Sequence, residues 1–307
     1  MPLPISGLHH VSAIAGPPQS NVDFYVGVLG LCLVKRTVNF DDPSAYHLYY
    51  GDATGRPGTA MTTFPWPNAV PGRAGAGMTA ATAFSVPADA LDFWMGRFAD
   101  RALDFDAPTE RFGEAVLAFA DPDGLPLELV AHDAAPDAIP DAHAIRGFHS
   151  VTLALADPTP TARVLTDVFG WDDGGEEGGR LRFRAPDGGP ASVVDLVQTD
   201  ERGRPGAGTV HHVAFRARDD DEQRAWRDAL RTAGLHPTEV KDRQYFRSIY
   251  CREPGGVLFE IATDGPGFTT DEAAADLGTA LKLPPWLESR RDAIAQRLPP
   301  LTLPTSR

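Results

Sequence analysis

Alternation of hydrophobic and polar residues with a period of two marks half-buried strands, and apolar residues spaced three and four apart mark a helix with one buried face. On that basis Leu8-His9-His10-Val11-Ser12-Ala13-Ile14 reads as a strand and Ser20 to Leu29 as a helix, which Ser20 or Asn21 caps and Gly30 closes. Three more strands follow, at Leu31 to Phe40, Tyr46 to Tyr50 and Thr59 to Phe64. This β-α-β-β-β order then recurs. A second unit runs through a strand at Thr79 to Val86, a helix around Ala88 to Arg101, and strands at Leu103 to Phe105, Ala115 to Phe119 and Leu125 to Val130. A third opens at Gly147-Phe148-His149-Ser150-Val151-Thr152, continues with a helix at Pro160 to Phe169, and has strands at Leu181 to Arg184 and Ala191 to Gln198. The fourth has a strand at Val210-His211-His212-Val213-Ala214-Phe215, a helix at Asp221 to Ala233, and strands at Thr238 to Lys241, Arg247 to Arg252 and Val257 to Ala262. The expected fold is therefore α+β, with four βαβββ modules forming two cupped-sheet barrels. The boundaries expected are an N-terminal half of two modules (1–130), an Ala-, Pro- and Asp-rich linker (131–146), a C-terminal half (147–263) and a tail (264–307) with one helical stretch, Leu287 to Leu298.

Aligning the modules exposes the candidate chemistry. Alternation puts His212 on the face of Ala214, and Glu260 on the face of Leu258 and Ala262. His10 is the module-one counterpart of His212, whereas modules two and three have Ala81 and Ser150 at that position. At the position of Glu260 the other modules carry Thr62, Glu128 and Asp195. If paired modules each close one cup, only module one with module four assembles two His and one Glu, leaving two with three as a partner without a site. Two imidazoles and one carboxylate suit non-haem Fe(II) with positions open to substrate and oxygen. Glu128 and Asp195 have no histidine partners, so no second metal is expected there. His9 and His211 are sent by alternation to the opposite face, and His149, at the His9 position, is expected to be structural. Phe64, Trp66 and Phe246 are candidates to wall an apolar pocket. Gly174-Gly175-Glu176-Glu177-Gly178-Gly179 reads as turns, outside the strand-helix setting of a phosphate cradle.

Composition narrows the classes. The 307 residues are 42% hydrophobic and 23% charged, an ordinary globular balance. A net charge of −14 argues against a nucleic-acid groove or an anionic membrane surface as partner. Two cysteines, Cys32 and Cys251, lie outside any CxxC pair and are expected to be reduced thiols in a cytoplasmic protein. No signal peptide is read at Met1-Pro2-Leu3-Pro4-Ile5, and no stretch reaches the roughly 20 apolar residues that span a bilayer.

These four modules, with His at the first strand and Glu at the last, resemble the vicinal oxygen chelate superfamily of glyoxalases, bleomycin-resistance proteins and extradiol dioxygenases. The likeness extends from Leu8-His9-His10-Val11 and Tyr46-His47-Leu48-Tyr49-Tyr50-Gly51-Asp52 to Gly265-Pro266-Gly267-Phe268 and Leu283-Pro284-Pro285-Trp286, and is nearest to the hydroquinone ring-cleaving dioxygenases. The resemblance implies pairing of module one with four, His10, His212 and Glu260 as ligands of Fe(II), with Mn(II) as the alternative, and a small aromatic substrate and O2 as partners. It also places His211, Tyr250 and Arg243 in catalytic positions and His9 and Ser12 around the ligands, with Ser12 where a Thr is usual. Assembly as a homo-oligomer is left open. The competing readings are an extradiol catechol dioxygenase, a glyoxalase-like metal-dependent isomerase or lyase, and a resistance protein that binds a small aromatic compound. Thr62, where a glyoxalase would use a fourth ligand, weighs against the isomerase.

Overall fold

The computed structural model describes residues 4–132 and 142–303. Module one contributes β1 (Leu8–Ala15), β2 (Cys32–Val38), β3 (Tyr46–Gly51) and β4 (Ala60–Pro65). Module two contributes β5 (Met78–Val86), β6 (Thr109–Arg111), β7 (Glu114–Ala120) and β8 (Pro126–Ala131). From module three come β9 (Phe148–Leu155), β10 (Asp172–Glu177), β11 (Arg180–Arg184) and β12 (Val193–Gln198), and from module four β13 (Thr209–Ala217), β14 (Lys241–Asp242), β15 (Phe246–Arg252) and β16 (Leu258–Pro266). They form two curled eight-stranded half-barrels, ordered β14-β15-β16-β13-β1-β4-β3-β2 and β10-β11-β12-β9-β5-β8-β7-β6. Module one is thus joined to module four by the antiparallel β1–β13 pair, and module two to module three by β5–β9. The helices pack on the convex faces. Trp226 and Leu230, one turn apart on helix Asp220–Thr232, are buried there, with Trp226 against Phe169.

Several local expectations are corrected. The first helix starts at Pro18, not at a Ser20 or Asn21 cap; Asn21 is buried, and its Oδ1 accepts hydrogen bonds from Tyr50 and Thr63. Proline at the first helical position needs no donor, so it initiates the helix and frees Asn21 for the interior. Both this helix and its module-three counterpart pass into a π-helical turn, at Asp23–Val28 and Val164–Val168, before Gly30 and Gly170 end them with positive φ. Leu103 to Phe105 is not a strand: only Phe105 makes an isolated bridge, to Phe119, and the edge strand is β6. The expected strand at Thr238 to Lys241 shrinks to β14, two residues long. The glycine-rich segment expected as turns is largely β10, whose register shifts between Asp173 and Glu176, where Gly175 has positive φ, and only Gly178 and Gly179, also at positive φ, lie beyond the strand in a turn. A bulge absorbs glycines that a regular strand would not favour. The tail forms two short helices, Pro285–Glu288 and Arg291–Ala295, instead of one. Most of the expected linker, residues 133–141, lies outside the described residues. Among the described residues no helix is long and apolar enough to cross a membrane.

The tail is fastened to the site-bearing sheet. Lys35 on β2 is fully buried, and its ammonium donates to Asp271 at 2.6 Å and to Glu272. That anchor brings Phe268 against Tyr49 with ring centres 4.9 Å apart, so the tail backs one wall of the cup.

Candidate metal centre

His10, His212 and Glu260 converge inside the first cup. His10 Nε2 and His212 Nε2 are 3.2 Å apart, and Glu260 Oε2 is 3.4 Å from the first and 2.9 Å from the second. All three residues are at most 4% exposed. The other carboxylate oxygen accepts from Ser248, whereas Oε2 has no hydrogen-bond donor. An orphaned buried carboxylate oxygen is costly unless a cation meets it. Although burial alone would raise the Glu260 pKa, the His10 and His212 imidazoles hold it well below the usual range. This donor set, whose ligand-type atoms all lie within 4.8 Å of one another, fits a divalent transition metal.

His9 and His211 are turned toward His10 and His212, against the expectation from alternation. The β1–β13 register slips at His9 and again at His211. Such a bulge rotates the extra residue toward the face of the next one. His9 Nδ1 lies 2.9 Å from His10 Nδ1, and His211 Nδ1 lies 2.8 Å from His212 Nδ1. His9 Nε2 faces the Thr263 carbonyl at 3.1 Å, which can only accept. A neutral His9 therefore keeps its proton on Nε2 and accepts at Nδ1, so His10 donates from Nδ1 and its Nε2 lone pair is left for the centre. His211 has the same inner contact, but its other edge opens onto the cavity. The two residues, equivalent in the repeat, thus have different surroundings: His9 is held between His10 and the Thr263 carbonyl, whereas His211 has an edge on the cavity.

Burial pushes the His9 pKa from 6.5 to about 3. The unfolded chain therefore binds a proton that the native state refuses, and stability is full above about pH 6.5 and falls as the pH drops toward 3. We expect the unfolding free energy of the metal-free protein, followed by urea denaturation, to decline below pH 6.5, with His9 contributing up to about 1.4 kcal/mol per pH unit. His9→Gln should flatten that slope; identical slopes in the two proteins would refute the assignment.

The cup opens into a cavity of about 220 Å³ walled by Phe40, Phe64, Trp66 and Phe246. Tyr250 and Arg243 also line it. Arg243 Nε donates to the Tyr250 hydroxyl at 3.1 Å, and its Nη2 donates to Asp41 at 2.9 Å on the loop that rims the mouth. Burial, with Glu260 adding to it, raises the Tyr250 pKa, so the phenol stays protonated. Desolvation, then the neighbouring His212, lower that of His211 to about 4. Ser12 is buried behind the cavity, its Oγ 2.7 Å from Thr62. His47, absent from the sequence-based candidates, also lines the cavity, with its ring 4.0 Å from Tyr49 and 4.1 Å from Phe64. The period-two pair His47 and Tyr49 was the available signal, since both must share one face of β3.

The second cup is filled differently. Glu128 pairs with Arg111 at 2.6 Å, and Asp195 is gripped by Arg182 at 2.8 and 3.0 Å. The β-register puts Ala118 and Arg182 where the first cup has Tyr250 and Tyr49. His149 Nδ1 meets Ser150 Oγ at 3.0 Å, as His9 meets His10. One grouping was not foreseen: Glu114, His132 and His149 bring ligand-type atoms within 4.8 Å of one another. There, however, Arg182 already donates to Glu114 at 2.6 Å, so the carboxylate has a fixed countercharge that Glu260 lacks.

Comparison with known proteins follows the same lines. The chain is 46% identical over 302 residues to MhqO of Bacillus subtilis (strain 168), named a ring-cleaving dioxygenase, covering 96% of each chain. It is 37% identical over 316 residues to the chlorohydroquinone/hydroquinone 1,2-dioxygenase of Sphingobium indicum, covering 97% of each. A crystal structure of a protein from Bacillus subtilis subsp. subtilis str. 168, named a dioxygenase, superposes with a TM-score of 0.94 at 44% identity, over 98% of this chain and 99% of the other. The model of the Glyoxalase/Bleomycin resistance protein/Dioxygenase superfamily matches residues 7–129 and 147–261, one span per half. A duplicated module, paired one with four around two histidines and a glutamate, therefore belongs to a chain of the glyoxalase/bleomycin resistance/dioxygenase superfamily.

Proposed function

We propose that this chain is an Fe(II)-dependent dioxygenase that opens a hydroquinone-type ring, with His10, His212 and Glu260 holding the metal. The observation that carries the reading is the triangle of donor atoms 2.9–3.4 Å apart, completed by a carboxylate oxygen without a protein donor, on the floor of an aromatic-walled cavity. The Sphingobium relative's name supports the substrate class. Thr62, at the position equivalent to Glu260, is hydrogen-bonded to Ser12 and His47 and brings no fourth acid, which favours a centre with open positions over a glyoxalase-like one.

When bound, Fe(II) would lower the pKa of a coordinated phenol and supply the redox chemistry that ground-state O2 requires. The protein groups do the rest. Phe64, Trp66 and Phe246 sandwich an aromatic ring and exclude water. His211, neutral with its outer edge on the cavity, takes the proton that the phenol releases. Arg243, fixed by Asp41, presents positive charge to oxygen atoms that become anionic, and holds Tyr250 as a donor to them. His9 fixes the orientation of His10, and Ser12 packs beneath the centre.

The test is anaerobic loading with iron, followed by oxygen-electrode measurements with hydroquinone, catechol and a methylglyoxal–thiol adduct in parallel. Consumption of about one O2 per hydroquinone ring opened is expected. Uptake with catechol alone would move the enzyme to extradiol chemistry, and turnover of the thiol adduct alone would make it an isomerase.

A further inference from the structure

Behind the cavity wall, four polar side chains form a single file. Ser12 Oγ is 2.7 Å from Thr62 Oγ1, Thr62 Oγ1 is 2.9 Å from His47 Nε2, and His47 Nδ1 is 2.8 Å from the Tyr49 hydroxyl. Each neutral member owns one proton that it can donate, and three links consume three of the four. The fourth proton is left at one end of the file. At the Ser12 end it would be stranded, because Ser12 and Thr62 are fully buried, neither lines the cavity, and among the described residues Ser12 Oγ has no acceptor other than Thr62. An unsatisfied buried donor is costly. At the Tyr49 end it faces the cavity, which Tyr49 and His47 both line. The file is therefore polarised from Ser12 through Thr62 and His47 to Tyr49, whose oxygen accepts from behind and whose proton is free in front. A doubly protonated His47 would leave Tyr49 in the same state, since both ring nitrogens would then donate.

The same logic holds across the module-one/module-four pseudo-dyad. Tyr250 lies opposite Glu260 in the sheet, and Tyr49 lies opposite Thr62. Tyr250 accepts from Arg243, which has nothing to accept with, so its proton is directed away from Arg243. The two phenols occupy equivalent positions, each held as an acceptor by a residue behind it.

We infer that Tyr49 is a second hydroxyl donor to an oxygen of the bound phenol, opposite Tyr250, and that His47 and Thr62 are positioning residues that fix the direction of that hydrogen bond. This rests on the ring-cleaving reading. The experiment is anaerobic calorimetric titration of iron-loaded protein with hydroquinone, in the wild type and in Tyr49→Phe, Thr62→Val and Thr62→Ser, alongside steady-state oxygen uptake. Tyr49→Phe should weaken hydroquinone binding about 10-fold and raise KM by a similar factor, as expected for one hydrogen bond to an ionised oxygen. Thr62→Val, which does not reach the cavity, should weaken binding several-fold, because His47 can then accept at Nδ1 and turn the Tyr49 proton away. Thr62→Ser should restore it. Wild-type binding in Tyr49→Phe overturns the inference. So does a Thr62→Val protein that binds as well as wild type, a readout that stands even if Tyr49→Phe fails to fold. A wild-type protein that binds no hydroquinone overturns the ring-cleaving reading and this inference with it.

Discussion

His212→Ala is expected to abolish iron retention and oxygen uptake together. The proposed centre has three protein donors, two imidazoles and one carboxylate, with no further acid in reach to substitute because Thr62 occupies the remaining equivalent position. Loss of a group that merely orients a ligand costs about 10- to 100-fold in metal affinity, so loss of a ligand should cost at least about 100-fold. The variant, passed through gel filtration after anaerobic loading, should carry far less than one iron per chain by elemental analysis. A second readout is independent of turnover. A metal that binds only the native state stabilises it, and saturation at about 100 times Kd adds about 2.7 kcal/mol. The wild type should therefore melt at a higher temperature when iron is added, and His212→Ala should not. A variant that keeps stoichiometric iron and normal oxygen uptake would remove His212 from the centre.

The largest effect on stability is expected from Lys35→Met. The Lys35 side chain has no solvent exposure, and it compensates two acids, of which Glu272 is 4% and Asp271 19% exposed. Breaking a buried pair from one side leaves uncompensated charge and costs about 3–5 kcal/mol, although methionine fills much of the volume. The loss is measured by urea denaturation. It should be largely recovered by adding Asp271→Asn and Glu272→Gln in the same chain, because an apolar and neutral cluster has no charge left to bury. The same substitution should raise KM, since the anchored segment presses Phe268 onto Tyr49 in the cavity wall. A change below about 1 kcal/mol would show that the two acids find other partners or solvent when Lys35 is gone.

Much of the architecture is legible in the sequence because each strand alternates and each module repeats. The convergence of His10, His212 and Glu260 follows from register alone, since a two-residue period fixes the face of every side chain once one is known. The same rule fails at His9 and His211, where one extra residue in each strand reverses the face, and nothing in His-His distinguishes a bulged strand from a regular one. The helix start at Pro18 was hidden by two better capping residues, Ser20 and Asn21, one of which is claimed by Tyr50 and Thr63 from strands far along the chain. β10 was hidden because four glycines in eight residues carry no strand propensity, and pairing with β11 supplies what propensity does not. The Ser12–Thr62–His47–Tyr49 file joins three strands, so its members gain meaning only once β1, β4 and β3 are adjacent. Lys35 is the same case. A lone lysine in an alternating strand reads as a solvent-facing residue until a tail more than 200 positions later covers it.

Because the β1–β13 pair links opposite ends of the polypeptide, with 202 positions between His10 and His212, the ribosome must release nearly the whole product before the cup can close. The middle two modules can pair while the first waits, its β1 edge unmatched and exposed to other nascent molecules. Closure over so long a separation is intrinsically slow. The proposed metal centre therefore has no complete set of ligands during translation, and the last module to emerge decides when His10, His212 and Glu260 can meet.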